Sequence, residues 1–271
     1  MKTRNEDIMM QQLMHRRAAL KDKLRKCQRV FGGWTCFSHP SPAEIFAKMG
    51  TDFVGIDMEH TPIDEEHALR IIALSQGAGG LCLPRVSGHD PQMIKRLLDS
   101  GADGIIVPLV NTREQAEQIF SWCAYPPVGK RSFGVARGQG YGLDYDIYTS
   151  QWNDAFSLVV QIETREAVAN IEDILSVDGI DAVMVGPYDI SGSLGIPGQL
   201  DHPKVQEARQ KVIRACQKSG RSCGTQIVDP NMANVQSALD EGFNFIILGS
   251  DLFALWKWAE GMRDLMGTLR K

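Results

Sequence analysis

Eight short apolar runs, each followed by a helical pattern, restrict this chain to very few folds. The runs are FGGWTCF (31–37), FVGIDME (53–59), LCLPRV (81–86), GIIVPLV (104–110), SLVVQIE (157–163), AVMVG (182–186), SCGTQIV (222–228) and FIILGS (245–250). Amphipathic stretches lie between them, among them residues 64–76, 91–101, 112–124 and 202–220. Glycines follow many of these helices (Gly50, Gly77, Gly101, Gly179, Gly220, Gly242), as helix termination favours. Near-continuous apolar strands alternating with helices predict a parallel sheet covered on both faces. Eight units in 271 residues predict a (β/α)8 TIM barrel. A doubly wound open sheet fits less well, because no G-x-G-x-x-G follows the first strand.

Two segments stand outside this pattern. Residues 1–29 read as a charged helical extension that covers the N-terminal opening of the barrel, contacts a neighbour, or is simply solvated; residues 30–271 then form the catalytic barrel. Residues 125–152 (YPPVGKRSFGVARGQGYGLDYDIYTSQW) read as a long loop between the fourth and fifth strands, and loops of that length are often functional. Net charge is −4 with mixed signs, which makes no case for nucleic acid or a membrane as partner. No apolar run reaches the roughly 18 residues of a membrane span, and the first residues lack a secretory signal. Six cysteines without C-x-x-C spacing suggest reduced thiols and a cytoplasmic protein.

In a parallel barrel the chemistry sits where strands exit. Asp57, Glu59 and His60 follow the second strand, Arg85 ends the third, Gln161 and Glu163 end the fifth, and Asp189 follows the sixth in GPYD. Unpaired carboxylates are too costly for core filling. Glu163 and Asp189 are therefore candidate ligands for a hard divalent cation such as Mg2+ or Mn2+, although a structural pair held by helix N-termini or arginines gives the same pattern. Strand alternation puts Gln161 on the same face as Glu163. Arg85 can clamp a carboxylate or stabilise an enolate oxygen, or form an ion pair with an acid such as Asp57. His60 is either catalytic or structural, and spacing alone leaves Asp99 as an ordinary helix-end residue. His39, His67, His89 and His202 read as loop or helix-surface residues. Asp251 reads as a cap of the last helix, with the preceding LGS turn a possible anion site. No lysine stands at a strand exit, which argues against a Schiff-base mechanism.

In this order, DFVGIDMEHTPID, LPRV, LDSGADGIIVPLV, YPPVGKRSFG, QIET and GPYDISGSLG resemble the HpcH/HpaI aldolase family, the metal-dependent class II pyruvate aldolases, over roughly residues 30–265. The resemblance implies the same barrel. It implies that Glu163 and Asp189 bind Mg2+, Mn2+ or a similar ion such as Co2+, and that Arg85 meets the keto oxygen. His60 and Asp99 would form a dyad that activates a water for proton transfer, and Gln161 with Gly186, Pro187 and Tyr188 would line the substrate pocket. It further implies a homo-oligomer, a hexamer built as a trimer of dimers, in which the last helix is exchanged between subunits. The chain departs from the commoner DGEH and GPADLS strings through Met58 and Tyr188, and the RGQGYGLDYDIY segment is expected to help define the acceptor.

The activity so implied is reversible cleavage of a 4-hydroxy-2-keto acid to pyruvate, or a related 2-keto acid, and an aldehyde through a metal-stabilised enolate. Two alternatives stand beside it. One is a related carbon–carbon lyase or condensing enzyme acting on oxaloacetate or an acyl-CoA partner; the other is a barrel that binds a keto acid without turning it over.

Overall fold

The computed structural model describes residues 4–270. Eight strands, β1 (Val30–Thr35), β2 (Phe53–Asp57), β3 (Cys82–Arg85), β4 (Gly104–Val107), β5 (Ser157–Ile162), β6 (Ala182–Val185), β7 (Ser222–Ile227) and β8 (Phe245–Leu248), pair in sequence order. All pairings are parallel, and β8 returns to β1 to close the barrel. The helices are α1 (Arg4–Arg25), α2 (Ser41–Lys48), α3 (Glu65–Gly77), α4 (Pro91–Asp99), α5 (Arg113–Cys123), α6 (Tyr145–Ala155), α7 (Arg165–Ala169), α8 (Ile171–Leu175), α9 (Pro187–Ser193), α10 (Pro203–Ser219), α11 (Met232–Glu241) and α12 (Asp251–Leu269). The expected (β/α)8 barrel is what forms. Most of the apolar runs overshoot their strands at the C-terminal end, and the overshoot is the loop sequence of the mouth.

Alternation along each strand sorts the core into two layers. Trp34, Phe53, Leu83, Ile106, Val159, Met184, Phe245 and Ile247 fill the barrel interior. Their neighbours, such as Val54, Ile105, Leu158 and Ile246, pack outward against the helices. Each such fully buried side chain contributes on the order of 1.5–3 kcal/mol. Phe53 and Phe245 stack with ring centroids 5.1 Å apart, which Gly224 permits because a Cβ there would run into the Phe245 ring.

The N-terminal helix closes the bottom of the barrel, and a repeated device attaches it. Asp52, Asp103, Asp181 and Asn244 each directly precede an even-numbered strand. Each accepts a backbone N–H from the preceding odd strand: Phe31 (2.8 Å), Cys82 (2.6 Å), Leu158 (2.9 Å) and Cys223 (3.1 Å). From α1, Lys23 pairs with Asp52, Arg17 with Asp103, and Lys21 and Arg25 with Asp181. Asn244 instead donates to the carbonyl of Cys27 (3.2 Å). Leu20 and Leu24 enter the interior core between these pairs. Closure of the barrel, one of the alternatives for this segment, forms within the chain.

Several local expectations change. The long loop is only half a loop: α6 occupies its second part, with Tyr148 and Trp152 buried. Those rings stack with centroids 4.9 Å apart, and the buried Arg131 guanidinium lies over them. Gly50, Gly101, Gly220 and Gly242 do adopt positive φ. Gly179 does not; it is needed because any side chain there would strike Phe120. Gly77 ends α3 and leaves the left-handed turn to Gly79. All six cysteines are free, four of them buried. Among the described residues no helix is long and apolar enough to cross a membrane.

Candidate active site

The polar residues noted at strand exits assemble at the C-terminal mouth. Glu163 follows β5 and is buried; its Oε1 accepts the Leu109 backbone N–H at 2.7 Å and its Oε2 accepts from Gln161 Nε2 at 3.0 Å. Leu109 reaches it from a left-handed conformation (φ 55°), a strained choice for a bulky residue that marks a constrained site. Asp189 stands in the first turn of α9, exposed, and its carboxylate takes no hydrogen bond from any described residue. A Cβ built on Gly186 would lie 2.9 Å from Glu163 Oε2 and 3.7 Å from Asp189 Oδ2, so the two carboxylates converge over that glycine.

Arg85 is the cation of this mouth. Its NH2 and Nε donate to Asp57 Oδ2 (2.8 Å) and Oδ1 (3.3 Å), its NH1 lies 3.0 Å from Glu59 Oε2 and 3.4 Å from Gln161 Oε1, and its guanidinium lies 5.2 Å over the Trp34 ring. The ion pair with Asp57 weighed from sequence is thus present. Asp57 also accepts the backbone N–H groups of Glu59 (3.1 Å) and His60 (3.2 Å), so one buried carboxylate fixes both the arginine and the loop that carries His60.

Among the carboxylates around this guanidinium, Glu163 and Glu59 hold a proton more tightly than an ordinary carboxylate does. Burial pushes Glu163 up to about 7, with the Leu109 N–H pulling the other way and the charges of Glu59 and Asp189 adding to the rise. Burial likewise raises Glu59, against the attraction of Arg85. Cys36, at the same mouth, is pushed up to about 12 by burial and by Asp251 and Asp57, which leaves it an unreactive thiol.

His60 is exposed (68% of its side chain), and its Nε2 is 3.7 Å from Glu59 Oε2. Asp99 ends α4, where Arg131 NH2 (2.7 Å) and Gln139 Nε2 (3.3 Å) hold its Oδ1. Among the described residues no hydrogen bond or ion pair joins His60 to Asp99, so the expected dyad is not assembled within the chain. Pro187 opens α9 and Tyr188 is exposed beside Asp189 in a cleft of about 580 Å³. Asp251 does not cap α12; Ser250 does. The Asp251 carboxylate accepts from Thr35 Oγ1 (2.7 Å) and the backbone of Cys36 (2.8 Å) and Phe37 (3.2 Å), tying β1 to α12 and making the turn a poor host for an anion. Four other histidines serve loops and helices: His39 and His202 accept backbone N–H groups, His67 pairs with Asp64, and His89 meets the Pro108 carbonyl.

The donor set suits a hard divalent cation. Among the described residues no group of three or more His, Cys, Asp and Glu side chains is placed to hold a metal. The two converging carboxylates, one without a hydrogen-bond partner, supply the oxygen ligands that Mg2+ or Mn2+ takes alongside water. Glu59 Oε2 is buried nearby and among the described residues makes no hydrogen bond, its close polar neighbour being the Arg85 guanidinium.

Comparison with known proteins agrees with this geometry. Residues 31–257 match the family model HpcH/HpaI aldolase/citrate lyase. The chain belongs to the HpcH/HpaI aldolase/citrate lyase family. It is 39% identical over 236 residues to the 2-keto-3-deoxy-L-rhamnonate aldolase of Escherichia coli (strain K12), covering 85% of this chain and 86% of that protein. Among solved structures it resembles an HpcH/HpaI aldolase/citrate lyase family protein from Burkholderia cenocepacia J2315 (TM-score 0.85, 28% identity, 93% of this chain and 99% of that one). It also resembles the HpcH/HpaI aldolase from Desulfitobacterium hafniense DCB-2 (TM-score 0.81, 31% identity, 90% and 95%). Members of the family are carbon–carbon lyases, and this chain is an enzyme of that class. The non-catalytic barrel is thereby set aside.

Sequence reading weighed the Asp57–Arg85 ion pair but not that the same carboxylate also holds the backbone of Glu59 and His60. It also passed over Gln226, which alternation from Gly224 would have turned inward.

Proposed function

We propose that this enzyme reversibly cleaves a 4-hydroxy-2-keto acid to pyruvate, or a related 2-keto acid, and an aldehyde. The observation that carries the reading is the convergence of Glu163 and Asp189 beside a fixed guanidinium at the barrel mouth. These two carboxylates would hold a divalent cation, Mg2+, Mn2+ or Co2+. Once bound, such a cation supplies Lewis-acid polarisation of a carbonyl.

The chain's own groups do the rest. Arg85, pinned by Asp57, adds fixed positive charge where the keto oxygen gains negative charge, with no reorganisation at the moment of reaction. Gln161, locked between Glu163 and Arg85, orients the keto acid, and Gly186, Pro187 and Tyr188 form the wall beside it. His60 on the rim takes and returns the C3 proton through a water. Pairing its ring with Asp99 requires that the exposed imidazole turn or that a second subunit bring one to it.

The surface of α12 supports an oligomer. Leu252, Leu255, Trp256, Trp258, Leu265, Met266 and Leu269 are all exposed along it, more apolar surface than a lone subunit normally leaves in water. We read this helix as exchanged between subunits of a hexamer, residues 30–271 as the catalytic unit, and the free thiols as fitting the cytoplasm.

The test is exchange of the C3 protons of pyruvate in D2O after Mn2+ is added to chelator-treated protein. Wild type should exchange, and Glu163→Ala and Asp189→Ala should not. Exchange retained by either variant would refute the assignment.

A further inference from the structure

The stagger of the strand pairings places four inward-facing residues of the odd strands at one height. Trp34 pairs with Gly55, Asp57 with Arg85, Arg85 with Ile106, Gln161 with Met184 and Gln226 with Ile247. Allowing for the one-residue climb per strand of an eight-stranded barrel, Trp34, Arg85, Gln161 and Gln226 make one layer of four. Contacts already described join the first three: Arg85 over Trp34, and Arg85 beside Gln161. Gln226 is the fourth member, inward because Cys223 of the same strand packs outward with the helices and Gly224 faces the Phe245 ring.

This layer is the floor of the site. Gly186 and Gly249, which follow β6 and β8, put no side chain above it. Three of its polar or aromatic members are occupied with one another. Gln226 is not: its Nε2 is buried and has no hydrogen-bond partner among the described residues. Leaving a buried amide donor unpaired is costly, and an apolar side chain would fill the place without that cost.

We propose that Gln226 is a specificity residue that donates a hydrogen bond to an oxygen carried on C3 of the 2-keto acid. This rests on the keto-acid reading above. Arg85 on β3 and Gln226 on β7 lie across the barrel from each other. A keto acid with its carboxylate and keto oxygen turned to Glu163, Asp189 and Arg85 directs C3 toward the wall formed by Trp34 and Gln226. A bare methyl meets only the Trp34 ring there and leaves the amide unsatisfied, whereas a C3 hydroxyl or carboxylate satisfies it. The favoured donor is therefore an oxygenated 2-keto acid rather than pyruvate itself.

The test compares wild type with Gln226→Leu and with the less perturbing Gln226→Met, all with Mn2+ added. The KM for pyruvate in C3 proton exchange is measured, together with the KI values of 3-hydroxypyruvate and oxaloacetate against that exchange. The ratio of KI to the pyruvate KM should rise by about tenfold in both variants for at least one of the two competitors, the size expected for one lost hydrogen bond. A rise for 3-hydroxypyruvate identifies a C3 hydroxyl, and a rise for oxaloacetate a C3 carboxylate. Ratios within about twofold of wild type for both competitors would overturn the proposal, since a loss of that size is below one hydrogen bond. No pyruvate exchange by wild type at all would instead overturn the aldolase reading on which it rests.

Discussion

Gly186→Ala tests the convergence of the two carboxylates without removing either. The backbone at Gly186 (φ −100°, ψ 84°) accepts alanine without strain. The added Cβ, however, would sit 2.8 Å from Glu163 Cβ and 2.9 Å from Glu163 Oε2. Ordinary carbon contacts need more than 3.4 Å, so the glutamate must retreat by about half an ångström or more. It cannot do so freely, because its two oxygens are held at 2.7 Å by Leu109 and at 3.0 Å by Gln161. Overpacking of this kind costs about 1–3 kcal/mol. Cation binding needs Glu163 back in place, so that cost appears as about 5- to 150-fold weaker affinity. Titration of Mn2+ into chelator-treated protein, followed by calorimetry, reads it directly. Gly261→Ala on α12, where an added Cβ meets nothing within 4 Å, is the control and should bind as wild type does. If Gly186→Ala binds Mn2+ as tightly as that control, Glu163 is not a ligand and the reasoning fails.

Four further outcomes are expected. Glu163, with its proton affinity raised to about 7, must lose that proton to serve as a ligand; Mn2+ binding should release a proton at pH 6 but not at pH 8, and affinity should climb with pH and level off above 7. In the metal-free protein the same group binds more protons folded than unfolded between about 4.5 and 7, so its contribution to stability falls as pH rises through that window, which urea titrations across it would show. Arg17→Met removes a buried cation paired at 2.7 Å with the buried Asp103 and should cost about 3 kcal/mol in urea unfolding, whereas Arg17→Met with Asp103→Asn should cost less than the two single changes combined. Trp256→Glu with Trp258→Glu should break the oligomer into smaller species by light scattering; an unchanged mass would remove α12 from the interface.

How much of this was legible in the sequence depended on the range of the interaction. Strand and helix positions follow from alternation and amphipathicity, which neighbouring residues carry, and every one of the eight runs became a strand. Asp52, Asp103 and Asp181 each stand just before the start of a strand, but their pairing with Lys21, Lys23, Arg17 and Arg25 was not legible, because the partners lie 29 to 160 residues away. The helix α6 was hidden by the glycines before it, although Tyr148 and Trp152, four residues apart, already carried a helical spacing. Asp251 was assigned to capping because position alone suggests a cap, whereas a buried carboxylate answering three donors at and just after the end of β1 needs the closed barrel to exist. The His60–Asp99 pair came from resemblance, and the chain gives Asp99 to Arg131 instead.

By itself the order of residues determined a barrel, its mouth, and which acids and bases arrive there, since each strand exit is a local event. Closure decided the remainder. A tilted ring of eight strands brings Trp34, Arg85, Gln161 and Gln226 to one height and points Glu163 and Asp189 at one glycine. No local pattern records such meetings, because they arise from the stagger accumulated around the whole circuit of the sheet.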